Sequence, residues 1–334
     1  MNELTHCPST LAEGYNTYSP VALRKLFNGQ KVSPVIPYVS IEKSEEDAAK
    51  FMNNSKRISI SGMQNKYSML LRNGNLTLTE EGEQGLYILK PKPAGLRLAH
   101  EIPANEHLTM QIAEQVYGIE TAANGLCFYK TGEPAYITRR FDVGSNGSKL
   151  RVEDFASLAG VTAVGVSSEL KYNASYEEIA ELMKHYIPAW RVELLKFYRI
   201  VLFNFLFSNG DAHLKNFSII ETVNEDFKLS PAYDLLNTHI HVDDSDFALS
   251  KGLFAQPDKK DFKFGNKVTG ATFKAFGLKI GLAEKTVDTA LSLFIERQSK
   301  MEQLVNNSYL SAKTKRTYLA HYNEKRNRLA DFKL

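Results

Sequence analysis

The chain has 334 residues, with 41 Lys+Arg against 38 Asp+Glu, a formal net charge of +3 and 43% hydrophobic residues. That length suits about two domains, and the balance excludes a disordered, collagen-like or coiled-coil chain and offers no bulk charge arguing for nucleic acid. Two cysteines, Cys7 and Cys127, cannot build a disulfide framework, so a reducing, cytoplasmic setting is expected. The opening MNELTHCPST lacks a signal-peptide pattern. The longest nearly apolar run, Ile200 to Phe207, is broken by Asn204 and falls far short of the ~20 residues that span a bilayer, so no membrane partner is expected.

The first stretch, to about residue 55, is poorly periodic, and Pro20, Pro34 and Pro37 read as breaks in any long element. Short β-type runs follow at Tyr67–Leu71, Leu76–Thr79 and Leu86–Lys90, the first two joined by Asn73-Gly74, a hairpin signal. Leu108, Ile112 and Val116 recur every four residues and predict a helix over Asn105–Tyr117, with Glu106 in its first turn. Strands are expected at Cys127–Tyr129 and Ala135–Arg139. Beyond Asp142 the pattern turns helical. Ser175-x-x-Glu178 is a capping box, with Ile179, Leu182, Met183 and Tyr186 expected on one face. Trp190–Phe207 predicts a helix buried in a core and stopped by Asn209-Gly210. A β pair follows at Phe217–Ile220 and Phe227–Leu229, then two or three helices from Ala283 onward. With no βαβ alternation, the expectation is α+β: a β-rich lobe over 1–141 and an α-helical lobe over 142–334.

Four features carry chemistry, in chain order: the small-residue loop Ser59-Ile-Ser61-Gly62-Met-Gln64, Lys90 at a strand end, the hexapeptide Asp211–Asn216 after a buried helix, and Asp234. Phosphoryl transfer from ATP needs such parts: backbone N–H groups near the phosphates, a lysine to neutralise them, a carboxylate for the attacking hydroxyl, and oxygen ligands for Mg²⁺. Asp211-x₄-Asn216 has the spacing of a kinase catalytic loop. Each piece alone has a plainer reading: a β-turn, a surface lysine, a helix cap. His213 reads foremost as a hydrogen-bonding member of its loop, and Lys215 as either a γ-phosphate contact or a solvated side chain. Asp243–Asp246 reads as a solvated loop. Lys313–Arg328, with six Lys/Arg against one Glu, reads as a solvated helix face or as one that meets an acidic partner.

On these motifs, with Ile88-Leu-Lys-Pro91, Asn105-Glu106, Arg140-Phe-Asp142, Glu153-Asp-Phe155 and Ala232-Tyr-Asp-Leu235, the sequence resembles the HipA-like serine/threonine kinases of bacterial toxin–antitoxin operons. The resemblance implies a bilobal, protein-kinase-like fold. It implies Asp211 as catalytic base assisted by Lys215, and Asn216 and Asp234 as Mg²⁺ ligands. Lys90 would meet the ATP phosphates, and Ser61, Gly62, Gln64, Glu106 and His213 would complete the nucleotide site. Thr138–Phe141 would be a hinge holding adenine, with Arg139 where the family usually has Glu, and Phe141 beside it. The early position of Ser59 resembles the short HipT-type branch. That branch implies a HipS-like small protein, a HipB-like DNA-binding antitoxin as the indirect link to nucleic acid, autophosphorylation of Ser59 or Ser61, and an aminoacyl-tRNA synthetase as protein substrate. A small-molecule kinase and a silent kinase-fold binding module are the alternative expectations.

Overall fold

The structure, a computed structural model, describes residues 4–39, 65–93, 96–144, 147–161, 168–256 and 267–331; Ser59, Ser61, Gly62 and Gln64 lie outside them. Two compact units form. One gathers Met1–Ile112, Thr121–Lys149 and Lys300–Lys315; the other gathers Ala113–Glu120, Leu150–Ser299 and Arg316–Leu334. The architecture is α+β, and among the described residues no helix is long and apolar enough to cross a membrane.

The first unit is built on a five-stranded antiparallel sheet of β1 (Tyr67–Arg72), β2 (Asn75–Leu78), β3 (Tyr87–Lys90), β4 (Asn124–Phe128) and β5 (Pro134–Arg139), ordered β2-β1-β3-β5-β4. Asn73 and Gly74, at φ 49° and 74°, close the β1–β2 hairpin as the Asn-Gly pair foretells. The poorly periodic start holds one short helix, α1 (Pro20–Phe27). Pro20 stands at its first helical position, where a missing N–H removes no bond, Ser19 Oγ accepts from Ala22 N at 3.2 Å, and Asn28 at φ 53° ends the helix. The helix buries Ala22, Leu26 and Phe27 in a core shared with Tyr67, Met69, Leu89 and Ile137. Leu26 and Phe27 alone contribute roughly 1.5–3 kcal/mol each. The next helix, α2, spans Ile102–Gln115, a turn earlier than the apolar spacing predicts, and buries Leu108 and Ile112 completely. The first unit also holds a late piece of chain. Tyr309 donates to His6 O, Asn307 to Leu11 O at 3.1 Å, and Glu101 receives Ser311 N, Ser311 Oγ and Thr314 Oγ1 at 2.8–2.9 Å.

The second unit is mainly helical. It opens with β6 (Val152–Asp154) and the single turn α3 (Phe155–Leu158). In α4 (Tyr176–Tyr186) the Ser175–Glu178 capping box is complete: Ser175 Oγ accepts from Glu178 N at 3.1 Å and Glu178 Oε2 from Ser175 N at 2.6 Å. Its buried face is Tyr176, Ile179, Ala180 and Met183; Tyr186 is exposed, because the helix ends there and the chain turns inward only at Ile187. The long helix α5 (Trp190–Leu206) is buried from Ile200 to its end and delivers the loop that follows. The sheet β6-β7-β8, with β7 at Ser218–Glu221 and β8 at Phe227–Leu229, is antiparallel. Helices α6 (Gly270–Lys279) and α7 (Glu284–Ile295) pack against each other and against α5, α8 (Ser299–Asn307) leads back to the first unit, and α9 (Ala312–Ala330) ends the described chain. Tyr318 and Tyr322 of α9 are buried with Phe207, ring centroids 6.0 and 5.4 Å apart. The acidic run and the basic helix meet each other, so the basic face has its acidic partner within the chain: Asp246 holds Arg328 Nη2 at 2.5 Å and also pairs with Lys325, which is buried.

Candidate active site

In the first unit, β3 ends at Lys90, paired across the ladder with Tyr136 of β5, and α2 carries Glu106. Lys90 is only 4% exposed and Glu106 2%, so the surface-lysine reading is excluded. Lys90 Nζ donates to Glu106 Oε1 at 2.6 Å and lies 5.2 Å from the Tyr136 ring centroid. An ammonium removed from water needs such a partner, and a strand end and a helix sixteen residues on supply it. Nearby, Arg139 donates through its backbone to Ala123 O at 2.8 Å and through its guanidinium to Asn28 Oδ1, the residue that closes α1. Phe141 is half-buried, and Arg140 is held by Asp142 through two bonds of 2.9 and 2.5 Å.

In the second unit, the exit from α5 is a set of polar side chains fixing one loop. Ser208 takes φ 53°, and its carbonyl accepts from Thr238 N and Oγ1 at 3.1 Å; Thr238 Oγ1 accepts in turn from Gly210 N at 2.8 Å. A Cβ on Gly210 would come within 2.4 Å of Asp244 Cβ and 2.6 Å of Ser245 O, so only glycine fits. Buried Asn209 donates to Asn204 Oδ1 at 2.8 Å and to Asp234 O at 3.4 Å, while its Oδ1 accepts from Asp211 N at 3.3 Å. One asparagine thus ties together the end of α5, Asp211 and Asp234. In the sequence Asn209-Gly210 signals only a helix stop, and the local clue to this further role is the polar interruption at Asn204 one turn earlier.

His213 N donates to Asp211 O at 2.8 Å and to Asn216 Oδ1 at 3.1 Å, opening the 3₁₀ turn Leu214–Asn216. Burial, with Lys171 nearby, lowers the His213 imidazole to about 3, so it stays neutral and serves as scaffold, edge-on to Tyr172 with centroids 5.1 Å apart. Asp211 reaches solvent, yet its crowded surroundings strip enough hydration to hold its carboxyl above the usual range. Asp244 and Asp234 act in the same direction, and Lys171 and the Tyr172 hydroxyl, which donates to Asp211 Oδ1 at 2.9 Å, act against it. Tyr172 had no signal in the sequence, because forty residues separate it from the loop it touches. Lys215 is half-buried, and its carbonyl accepts from Tyr233 Oη at 2.9 Å.

Asn216 Nδ2 lies 3.4 Å from Asp234 Oδ2, and Asp234 adopts φ 56°, a left-handed conformation rare outside glycine but open to Asp. Asn216 and Asp234, with Asn204 and Asn209, line a cavity of about 10 Å³, room for about one water. The structure therefore brings Asp211, His213, Lys215, Asn216 and Asp234 onto one loop system, and Lys90 and Glu106 into one buried pair.

The family model described as "HipA-like C-terminal domain" matches residues 58–303, well over half of the chain. The chain belongs to the HipA-like C-terminal domain family. A relative from Haemophilus influenzae, named "Putative kinase", is 25% identical over 323 residues, covering 89% of this chain and 88% of its own. The Sinorhizobium fredii proteins of the same name, Y4mE and Y4dM, are 29% and 32% identical over 66% and 58% of this chain, which spans about half of their length. Among solved structures, HipA of Shewanella oneidensis, in complex with HipB and operator DNA, superposes with a TM-score of 0.63 at 19% identity, covering 86% of this chain and 71% of that one. The fold is therefore HipA-like.

Proposed function

We propose that this HipA-like chain is an ATP- and Mg²⁺-dependent protein serine/threonine kinase acting as the toxin of a toxin–antitoxin pair. The observation that carries the reading is the buried Lys90–Glu106 pair at 2.6 Å, the strand-lysine to helix-glutamate pairing that orders a kinase's phosphate-binding lysine. In support, Asp211 is oriented by Tyr172 with a carboxyl tuned upward, as suits a base taking a proton from a substrate hydroxyl. Arg139 and Phe141 would flank adenine, and Ser61, Gly62 and Gln64 the phosphates.

The donor set fits Mg²⁺. Asp234 offers a hard carboxylate beside a water-sized cavity, and Asn216 an amide oxygen once the amide exchanges its contact with His213 N. Among the described residues no three His, Cys, Asp or Glu side chains converge, so the remaining oxygens would be those of phosphate and water. Bound there, Mg²⁺ would neutralise phosphate charge.

The name of the Shewanella complex supports a HipB-like DNA-binding partner; a HipS-like protein, an aminoacyl-tRNA synthetase substrate and modification at Ser59 or Ser61 extend the reading through the short-branch resemblance. The test is labelled ATP with the purified protein, cell lysate and candidate synthetases, alongside Asp211→Asn. Mg²⁺-dependent label on a protein serine or threonine is expected, with a loss on the order of 10²-fold or more in the variant. Equal labelling by both proteins overturns the assignment of Asp211, and label only on a small molecule makes the chain a small-molecule kinase.

A further inference from the structure

Behind the Asp234 segment, within the second unit, lies a second cavity of about 260 Å³. Its apolar lining is Ile119, Ile200 and Leu229, each no more than 6% exposed, and its polar lining includes Glu120, Lys196 and Arg199. The two cations stand three residues apart on α5, so both project from one helix face with Ile200 beside them.

The charges around this cavity are unequally matched. Lys196 Nζ lies 2.8 Å from Glu193 Oε1 and 4.0 Å from Glu120, and Lys228 lies 3.6 Å from Glu120. Among the described residues Arg199 pairs with no carboxylate. One N–H, on Nη2, donates to Tyr117 O just beyond the C-terminal end of α2. A guanidinium carries five N–H donors in a planar fork, so most of its capacity remains for a ligand. Capping the end of α2 accounts for one of those donors and leaves the cavity unexplained. Its partial burial already pulls its pKa below the usual value, the response of a cation short of compensating charge.

We propose that this cavity binds a small amphipathic anion, its carboxylate or phosphate held by Arg199 with Lys196 at the rim and its apolar body against Ile119, Ile200 and Leu229. The volume sits just under the range usual for drug-sized ligands, which suits one small ring or short chain and is too small for a nucleotide. The position gives a ligand a short route to Asp234. Ile200, Leu229 and Ser230 also wall the smaller cavity beside Asn216 and Asp234, and Glu120 O accepts from Ala232 N at 2.8 Å, two residues before Asp234.

The test is independent of phosphotransfer. Calorimetric titration of the full chain with benzoate, phenyl phosphate, inorganic phosphate and benzyl alcohol separates head group from apolar body. Saturable binding of benzoate or phenyl phosphate in the millimolar range or tighter is expected, with inorganic phosphate and benzyl alcohol each weaker than the better of these two. Arg199→Met should weaken that ligand on the order of 10-fold or more. Because this variant also loses the bond to Tyr117 O, Arg199→Lys, which keeps the charge, is tested beside it and should show an intermediate loss. Absence of binding, benzyl alcohol matching the anions, or unchanged affinity in whichever Arg199 variant melts like the parent overturns the proposal.

Discussion

Lys90 and Glu106 are the residues whose surroundings say most about what they are for. Two charges this deeply buried stabilise a fold poorly against a well-packed apolar pair, since desolvation opposes much of their attraction. Glu106→Leu alone takes the carboxylate away from a buried ammonium and should lower stability by about 3–5 kcal/mol. Lys90→Met with Glu106→Leu should regain most of that loss in urea unfolding while abolishing phosphotransfer. A double variant as unstable as the single one would show that the pair is structural. One residue further on, His107 gives a pH dependence. It is fully buried, its Nε2 lies 2.7 Å from Ser9 O, and burial lowers its pKa to about 4. An unfolded chain binds a proton at this ring below about pH 6.5, and the folded chain does so only near pH 4. Stability contributed by neutral His107 is therefore complete above pH 6.5 and falls as pH drops toward 4, by up to about 1.4 kcal/mol per pH unit. His107→Gln, which can still donate to Ser9 O, should flatten that part of the profile; an unchanged slope in urea titrations from pH 7 to pH 4 would contradict the assignment.

At the scale of elements, what could be read in advance was what neighbouring residues decide among themselves. The Asn73-Gly74 hairpin and the Ser175–Glu178 capping box are each complete within four residues, and both form as read. Ser175→Ala should cost about 0.5–2 kcal/mol by freeing the first-turn donors of α4, measurable as a lowered melting temperature, whereas Tyr186→Ala, at the exposed end of the same helix, should change little. Equal effects would mean that the cap is not what holds α4. What local sequence left out turned on position within an element or on distant partners. Pro20 breaks a helix interior but suits a first turn, and only the Ser19 cap distinguishes the two. Lys90 stands out in the sequence only through the order of the motifs, since the glutamate it pairs with lies on another element. The loop from Asn209 to Asn216 was legible as a dense polar run, while the side chains that fix it, Tyr172, Tyr233 and Thr238, stand 39 residues before and 18 and 28 residues after their partners and carry no local signature.

For the whole molecule, the residues of the candidate site end at Asp234 and the family match ends at residue 303, yet both units depend on the chain beyond. Residues 304–315 supply the first unit with buried Leu304 and Val305, with Asn307 and Tyr309 bonded to the N-terminal segment, and with the Ser311 and Thr314 donors to buried Glu101. Arg316 onward supplies the second with Tyr318, Tyr322 and Leu329, each 1% exposed or less, and with the two cations that hold Asp246. A chain ending at residue 303 would leave Glu101 and Asp246 without these donors and uncover Phe207, which touches both tyrosines of α9. Losing large buried aromatic side chains costs about 3–5 kcal/mol each, and two of them already reach the 5–15 kcal/mol that typically holds a domain together. The truncated chain should therefore lack a cooperative unfolding transition and expose apolar surface to a fluorescent dye, although it keeps every residue of the candidate site and the whole family match. A fragment of residues 1–303 that melts cooperatively within a few degrees of the full chain would show that the last helix is dispensable, and that the contacts made by Tyr318, Tyr322 and Glu101 contribute little to either unit.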